Sequence, residues 1–237
     1  MPRYVASLHG INAQDTIELQ EVFLYTPRGS KPRYTPFESF DDPLSQYPLC
    51  VLGELGGIFN AYGKHLRDNT DWSSETSDEV ADSFIYLLVF AMSLRHISNN
   101  NVLDFAGNNW DRQPQSINTY AELFATYNRL VGQILSLQES NNHTVENFGS
   151  ILRALQDIGV KLTKRSWQEI MDTFHTHMLE EHLRARNYTP DLWFLGSGYV
   201  NFSLLLIWLR ARIAEGKLQI PTDRIKTFER FAELQNA

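Results

Sequence analysis

Apolar residues recur at three- and four-residue steps over most of the chain from residue 48 onward, and this spacing predicts amphipathic α-helices. The first such helix carries the apolar positions Val51, Leu55, Ile58, Phe59, Tyr62 and Leu66. Residues 80–94 are apolar on nearly every side, so the helix that contains them is predicted to be central in the fold.

Five more apolar stripes predict helices across 117–134, 145–155, 167–178, 204–213 and 225–234, and Gly159 is expected to stop the second of them. Alternating strand patterns are absent, apart from possible short pieces before residue 48. The predicted fold is all-α, a bundle of about seven to eight helices in a single domain spanning 1–237. Within it we expect an irregular N-terminal segment at 1–47, which carries Pro27, Pro32, Pro36 and Pro43, a helix pair at 48–95 and further bundle helices at 116–237.

Charge and cysteine content narrow the class of protein. The chain has 237 residues and a net charge of −7, which argues against binding to nucleic-acid polymers or to anionic membranes. Its single cysteine excludes an intrachain disulfide and a zinc site built on several thiolates, so a reducing, cytoplasmic location is expected. The first residues lack the apolar run of a signal peptide and are interpreted as mature sequence.

The apolar stretch 192–209 is interrupted by Gly196, Ser197 and Gly198, which favours a buried helix over a membrane span.

Three acidic residues fall on helix faces that should be buried. Glu79 and Asp82, with Ser83 and Tyr86, are spaced i, i+3, i+4 and i+7, which makes one polar stripe on an apolar helix. Glu54 lies on the apolar face of the preceding helix, so antiparallel packing would bring three carboxylates together. Because unpaired buried carboxylates are costly, such a cluster calls for a cation, and oxygen ligands without His or Cys favour Mg²⁺ or Mn²⁺.

The same spacing has a purely structural alternative. Thr76 and Glu79 are placed as a capping box, in which Glu79 would only help to cap the start of the helix. Asp82 would then be an ordinary acid of the first turn. Spacing alone leaves both interpretations open.

The residues that carry the carboxylates resemble a known superfamily. Val-Leu-Gly-Glu-Leu at 51–55 and Asp-Glu-Val-Ala-Asp-Ser-Phe-Ile-Tyr-Leu-Leu at 78–88 are similar to the all-α nucleoside triphosphate pyrophosphohydrolases, which include the MazG-like proteins and the dimeric dUTPases. The pattern of that superfamily is Glu-x-x-Glu on one helix and Glu-x-x-Asp on the next. Its second Glu corresponds to Glu54 and its Glu-x-x-Asp to Glu79 and Asp82, whereas its first Glu falls on Val51.

The resemblance implies a Mg²⁺-dependent hydrolase that converts a nucleoside triphosphate to the monophosphate and pyrophosphate. Glu54 and Glu79 would be catalytic, and together with Asp82 they would ligate the metal. The superfamily builds its sites between protomers or paired helices, so a homodimer or higher oligomer is expected, and the chain length is nearer to the dimeric dUTPases than to minimal MazG-like domains. The alternative is a degenerate member that binds nucleotide or serves as a structural protein, and Val51 is the feature that favours it.

Three basic residues are candidates for binding the phosphates of the substrate. The segments 159–162 and 178–188 are similar to the part of the dUTPases that supplies phosphate contacts, which points to Arg184 and Arg186, and Lys64 on the first helix is a further candidate.

Several other residues have both a structural and a functional interpretation. His175, His177 and His182 form a histidine-rich stretch, for which a solvated helix face is favoured over a metal site because 175 and 177 point about 200° apart. Basic residues of the proline-rich segment either close over a triphosphate or belong to a plain solvated loop; they are Arg28, Lys31 and Arg33. Glycines in the first helix indicate either close helix packing or approach to a ligand; they are Gly53, Gly56 and Gly57. Cys50 is interpreted as a small core residue.

Overall fold

A computed structural model of the chain describes residues 6–24, 43–68, 73–184 and 201–236. Within these ranges there are nine α-helices, one short 3-10 helix and one two-stranded sheet. The protein is therefore all-α, as the hydrophobic spacing predicts, with one or two more helices than the expected seven to eight.

The helices follow one another along the chain with short connections. They are α1 Ala13–Leu24, α2 Pro43–Asp68, α3 Ser73–Ile97, α4 Asp104–Trp110, α5 Tyr120–Ser136, α6 Val145–Thr163, α7 Trp167–Arg184, α8 Phe202–Ala214 and α9 Thr222–Asn236. The 3-10 helix is Ser140–Asn142, and the strands are β1 Ser7–Leu8 and β2 Leu218–Gln219.

The chain forms two compact units. One comprises residues 34–170 and holds α2 to α6, and the other comprises residues 1–33 and 171–237 and holds both strands with α1, α8 and α9. The division falls inside α7, between Ile170 and Met171.

In the unit 34–170, α3 is the central helix and packs against both α2 and α6. Helices α2 and α3 run antiparallel: Tyr47 near the start of α2 stacks on Phe90 of α3 with ring centroids 5.6 Å apart. At the other end of α2, the Lys64 Nζ lies 2.9 Å from the Glu75 carboxylate near the start of α3. The predicted central position of α3 is confirmed.

Aromatic side chains fill the core between these helices. Phe84 of α3 makes edge-to-face contacts with Phe105, Trp110 and Trp167, with ring centroids 6.4, 5.9 and 5.4 Å apart. Such pairs stabilise by about 0.5–1.5 kcal/mol beyond the area they bury. The cluster therefore fixes α3 against α4 and the start of α7.

Helix α6 extends past Gly159, so the prediction that this glycine stops the helix is wrong. The helix continues to Thr163 and ends at Lys164, which adopts the left-handed conformation with φ 60°. A Cβ on Gly159 would lie 2.9 Å from Val80 Cγ1 of α3. The glycine is thus explained by the close approach of two helices rather than by a helix end.

The unit formed by residues 1–33 and 171–237 is held by a small sheet and an apolar cluster. Strands β1 and β2 pair antiparallel, with Ser7 opposite Gln219 and Leu8 opposite Leu218. Fully or nearly buried apolar side chains come from both strands, α1, α7, α8 and α9, and they include Leu8, Ile11, Leu19, Val22, Leu179, Leu205, Trp208, Leu209 and Phe228.

A helix occupies part of the segment 1–47 that is expected to be irregular, so that expectation is wrong for α1. Its start is fixed by reciprocal hydrogen bonds: the Asp15 N–H donates to the Asn12 side chain and the Asn12 N–H to the Asp15 carboxylate. This Asn-x-x-Asp arrangement is a variant of the capping box and is visible in the sequence. Helix α2 also begins earlier than predicted, at Pro43, with Pro48 inside it.

Helix α3 is the one described helix with the length and apolar character of a membrane span. In its most apolar 18-residue window, 67% of the positions are buried inside the protein. A mostly buried core helix has the same composition as a span, so this observation is weak evidence for a membrane.

Candidate functional site

Antiparallel packing of α2 and α3 brings two of the three predicted acids into contact. The side chains of Glu54 and Glu79 are hydrogen-bonded to each other, which requires a proton on one of the two carboxyl groups. The Glu79 carboxyl lies against Gly57, one turn after Glu54: a Cβ on Gly57 would be 2.9 Å from Glu79 Oε1 and closer still to Oε2. Only a glycine at position 57 leaves room for the carboxyl in this position.

The surroundings of the pair raise both pKa values. Burial is the main cause for Glu79, followed by the hydrogen bond and charge of Glu54 and by the charges of Glu75 and Asp78, and together they raise its pKa to about 7. Burial also raises the pKa of Glu54, and the charge of Asp82 adds to this, while the hydrogen bond with Glu79 acts in the opposite direction. Within the described ranges, no basic residue is among the causes of these two pKa shifts.

The polar stripe on α3 lies partly at this site. Asp82 is near enough to act electrostatically on both Glu54 and Tyr86, and the pKa of Tyr86 is raised by burial first and then by Glu54, Cys50 and Asp82. Ser83 differs: its hydroxyl is buried and donates to the backbone carbonyl of Glu79, 2.9 Å away. Tyr86 and Asp82 therefore flank the carboxyl pair, whereas Ser83 serves its own helix.

The capping-box interpretation of Thr76 and Glu79 is wrong. Helix α3 includes Ser73, three residues before Thr76, and Thr76 is fully buried inside the helix. Thr76 is therefore not an N-cap, and Glu79 lies in the second turn or later, where its side chain faces α2.

The donor set suits a magnesium ion bound jointly with phosphate. Among the residues that the structure describes, no three His, Cys, Asp or Glu side chains are grouped to hold a metal ion on protein ligands alone. Magnesium is commonly bound through one or two carboxylates, with water and substrate phosphates as the other ligands. Glu54 and Glu79 fit that mode, because they are two oxygen donors in contact and share an excess of negative charge.

The remaining predicted residues lie apart from the pair or outside the described side chains. Val51, at the position of the superfamily's first acid, is fully buried in the core. Lys64 forms an ion pair with Glu75. Arg184 is the last residue of α7 and its side chain is not described, and the other basic candidates lie outside the described residues; they are Arg28, Lys31, Arg33 and Arg186.

The histidine-rich stretch contains one buried residue, so a solvated face is wrong for His175. That side chain is fully buried, its Nδ1 lies 2.7 Å from the Met171 carbonyl oxygen, and burial lowers its pKa to about 4. His177 is exposed, and the side chain of His182 lies outside the described residues. Cys50 is half-buried beside Glu54 and Tyr86 rather than in the core.

Two features of the site are more specific than the sequence predicted, since Gly57 was expected only as one of three glycines that indicate close helix packing or approach to a ligand. Gly57 is needed for the position of Glu79, whereas a Cβ on Gly53 or Gly56 would meet nothing within 4 Å. The signal was present, because Gly57 is three residues after Glu54 and so shares its helix face. The second feature is the contribution of Glu75 and Asp78 to the electrostatics of Glu79.

Comparison of the chain with models of known protein families, with curated proteins and with solved structures found no match. The geometry of α2 and α3, together with the motif resemblance, therefore carries the functional interpretation.

Proposed function

We propose that this protein is a magnesium-dependent nucleoside triphosphate pyrophosphohydrolase of the all-α superfamily that contains the MazG-like proteins and the dimeric dUTPases. The observation that carries the proposal is the contact between the Glu54 and Glu79 carboxyl groups across two antiparallel helices, with Asp82 acting on Glu54. These are the positions at which the sequence matches the acids of the superfamily motif.

Electrostatics supports a cation at this pair. Two carboxylates in contact repel each other, and burial adds to the cost of ionising them, so without a cation the pair holds a proton at pH values below the raised pKa of Glu79, about 7. A divalent cation removes the need for that proton and makes both ionised groups favourable. The site is also partly open to solvent, since Glu54, Glu79 and Asp82 are all half-buried.

The reaction breaks the bond between the α-phosphorus and the oxygen that bridges it to the β-phosphorus. The oxygen of a water molecule bonds to the α-phosphorus, the water releases a proton to the solvent, and pyrophosphate leaves with the bridging oxygen and its bonding electron pair. Mg²⁺ bound with the substrate would neutralise the phosphate oxygens and orient the attacking water. Glu54 and Glu79 would hold that ion and the water close to the α-phosphorus, and Asp82 would add negative charge beside them.

Phosphate binding and assembly follow from the resemblance. Arg184, Arg186 and Lys64 are proposed to contact the phosphates. For Lys64 this requires that its ion pair with Glu75 breaks, so that the ammonium group can bind phosphate instead. A homo-oligomer is proposed on the same basis, and a cytoplasmic location is proposed because the chain has a single cysteine.

The test is pyrophosphate release from a panel of ribo- and deoxyribonucleoside triphosphates with Mg²⁺. We expect turnover of at least one nucleotide, and a loss of about 100-fold or more in Glu54→Gln and Glu79→Gln, since each removes a charged ligand. Glu233→Gln, at an exposed position of α9, makes the same chemical change away from the site and should leave turnover unchanged. Turnover that survives both site substitutions would overturn the assignment.

Val51 favours a second candidate function, a nucleotide-binding protein without turnover. The side chain is fully buried, so the position of the superfamily's first acid belongs to the core and supplies no ligand. This candidate predicts that nucleotide with Mg²⁺ raises the melting temperature while pyrophosphate release stays at background. The leading proposal predicts both effects together.

A further inference from the structure

A pocket of about 580 Å³ lies in the unit 34–170, away from the carboxyl pair. Its walls come from the end of α2, the segment before α5 with the first turn of α5, and the end of α6. Glu54, Glu79 and Asp82 do not line it. Tyr62 follows Glu54 by eight residues on α2, about 12 Å along the helix axis. The volume is in the range of small-molecule sites, roughly 300–1,000 Å³.

Part of the pocket lining is aromatic or apolar. The rings of Tyr62 and Tyr120 have centroids 6.3 Å apart, and their side chains are hydrogen-bonded. Tyr120 is 60% exposed although it is a large aromatic residue, so much of its ring is available to a ligand. Leu123 and Leu162, which are buried, also line the pocket. These surfaces suit a planar ring, which stacks on tyrosine and buries its apolar faces.

The other side of the pocket is basic. Lys161, Lys164 and His65 line it, and none of the lining residues is acidic. Among the described residues, neither Lys161 nor Lys164 forms an ion pair. The chain as a whole is negatively charged, with a net charge of −7, whereas two lysines without an ion pair make this pocket locally positive. This arrangement favours an anionic group next to the ring-binding surface.

The backbone at Lys164 has a conformation that is uncommon for lysine. Lys164 ends α6 in the left-handed conformation, with φ 60° and ψ 19°. Glycine or asparagine is the usual residue at such a helix end, because a Cβ is unfavourable there. Strained backbone at a non-glycine residue is often retained where the side chain is needed for binding. Lys164 is also one of the residues that line the pocket.

We propose that this pocket binds a small planar aromatic molecule that carries a phosphate group. The ring packs against Tyr62 and Tyr120, and the phosphate is held by Lys161 and Lys164. The hydroxyl of Thr119 and the side chain of Asn118 provide polar contacts between the two parts of the ligand. The site is separate from the carboxyl pair and does not depend on the proposed hydrolysis.

Isothermal titration calorimetry with 1-naphthyl phosphate tests the proposal in the full chain. Two fragments serve as ligand controls: 1-naphthol keeps the ring without the charge, and inorganic phosphate keeps the charge without the ring. We expect 1-naphthyl phosphate to bind with a dissociation constant below about 1 mM and at least tenfold more tightly than either fragment.

Substitutions separate binding from folding. Lys161→Gln and Lys164→Asn should each weaken binding of 1-naphthyl phosphate about tenfold, and Lys164→Asn should do so without lowering the melting temperature, because asparagine tolerates the left-handed backbone. Lys226→Gln, an exposed lysine of α9, makes the same change of charge elsewhere and should leave binding unchanged. Glu79→Gln should leave it unchanged too, which distinguishes this site from the proposed catalytic one.

Three results would overturn the proposal. They are no detectable binding of 1-naphthyl phosphate at about 1 mM, equal binding of 1-naphthol, and full binding in both lysine variants.

Discussion

The Glu79 carboxyl occupies the space that a Cβ at Gly57 would fill. The contact joins the catalytic proposal to the packing of α2 and α3, because the same carboxyl is hydrogen-bonded to Glu54 one turn earlier on α2. Each of Gly53, Gly56 and Gly57 is unfavourable inside a helix by about 1 kcal/mol relative to alanine. The contact explains why Gly57 is nevertheless a glycine.

Gly57→Ala should disturb the carboxyl pair without unfolding the protein. The new methyl would meet the end of the Glu79 side chain, which is flexible and can move away, and alanine favours the helix by about 1 kcal/mol. We expect the pKa of Glu79 to fall from about 7 toward its ordinary value as the hydrogen bond to Glu54 is lost. The measurement is ¹³C NMR titration of the glutamate carboxyl groups.

Gly56→Ala is the matched control for this substitution. It is adjacent in sequence, but its Cβ would meet nothing within 4 Å. Gly56→Ala should therefore stabilise the helix through the higher helix propensity of alanine, and the pKa of Glu79 should stay raised. Equal titration of Glu79 in the two alanine variants would contradict the contact.

The carboxyl pair predicts a pH dependence of stability in metal-free protein. The pKa of Glu79 is about 7 in the folded state against 4.5 ordinarily, so the contribution of Glu79 to the free energy of unfolding falls as pH rises from 4.5 to 7. Buried His175, whose pKa is lowered to about 4, contributes in the opposite direction, so the prediction concerns the difference between the unchanged protein and a Glu79 variant. In Glu79→Gln this decline should shrink by about 1 kcal/mol, after allowance for solvent screening at a half-buried site. Urea unfolding at pH 4.5 and 8 measures it, and a decline as large in Glu79→Gln as in the unchanged protein would refute the interpretation.

Close packing of α3 and α6 predicts that Gly159→Ala destabilises the protein. The new methyl would lie 2.9 Å from Val80 Cγ1 in the buried core, where overpacking costs about 1–3 kcal/mol. Gly132→Ala, on the open surface of α5, should instead be neutral or stabilise by up to about 1 kcal/mol. Chemical denaturation compares them, and adding Val80→Ala should reduce the cost of Gly159→Ala if the clash is its cause.

In the other unit, Asp15 is predicted to be essential for stability. Its carboxylate is buried and pairs with Arg212 and Lys217, and Arg212 is itself buried. Asp15→Asn leaves the Arg212 charge without its main partner, at a cost of about 3–5 kcal/mol. Glu215→Gln removes a more exposed acid from the same arginine and should cost less than about 1 kcal/mol. Thermal melting of the two variants checks the difference, and equal melting temperatures would refute it.

The helical fold could be predicted because apolar spacing reports directly which face of a helix is buried. The same spacing cannot report close backbone approach, so Gly159 resembles a helix end although Val80 packs against it. Nor does it detect α1, whose start depends on the hydrogen bonds between Asn12 and Asp15 rather than on a strong apolar stripe.

The candidate site could be predicted in part for similar reasons. Helix periodicity placed Glu54 and Glu79 on facing surfaces, and antiparallel packing of a helix pair then brings them together. Burial of Ser83 against its own helix and the pairing of Lys64 with Glu75 depend on side-chain positions that spacing does not determine.

The catalytic role of the Glu54–Glu79 pair can be tested by comparing pyrophosphate release in Gly57→Ala and Gly56→Ala. Both variants are measured with Mg²⁺ and the preferred nucleoside triphosphate. Neither substitution removes a candidate ligand, and only the first displaces the Glu79 carboxyl. We expect Gly56→Ala to retain turnover and Gly57→Ala to lose about tenfold or more, because a catalytic group is then misplaced by about 1 Å. Equal turnover in the two variants would contradict the catalytic role of the pair.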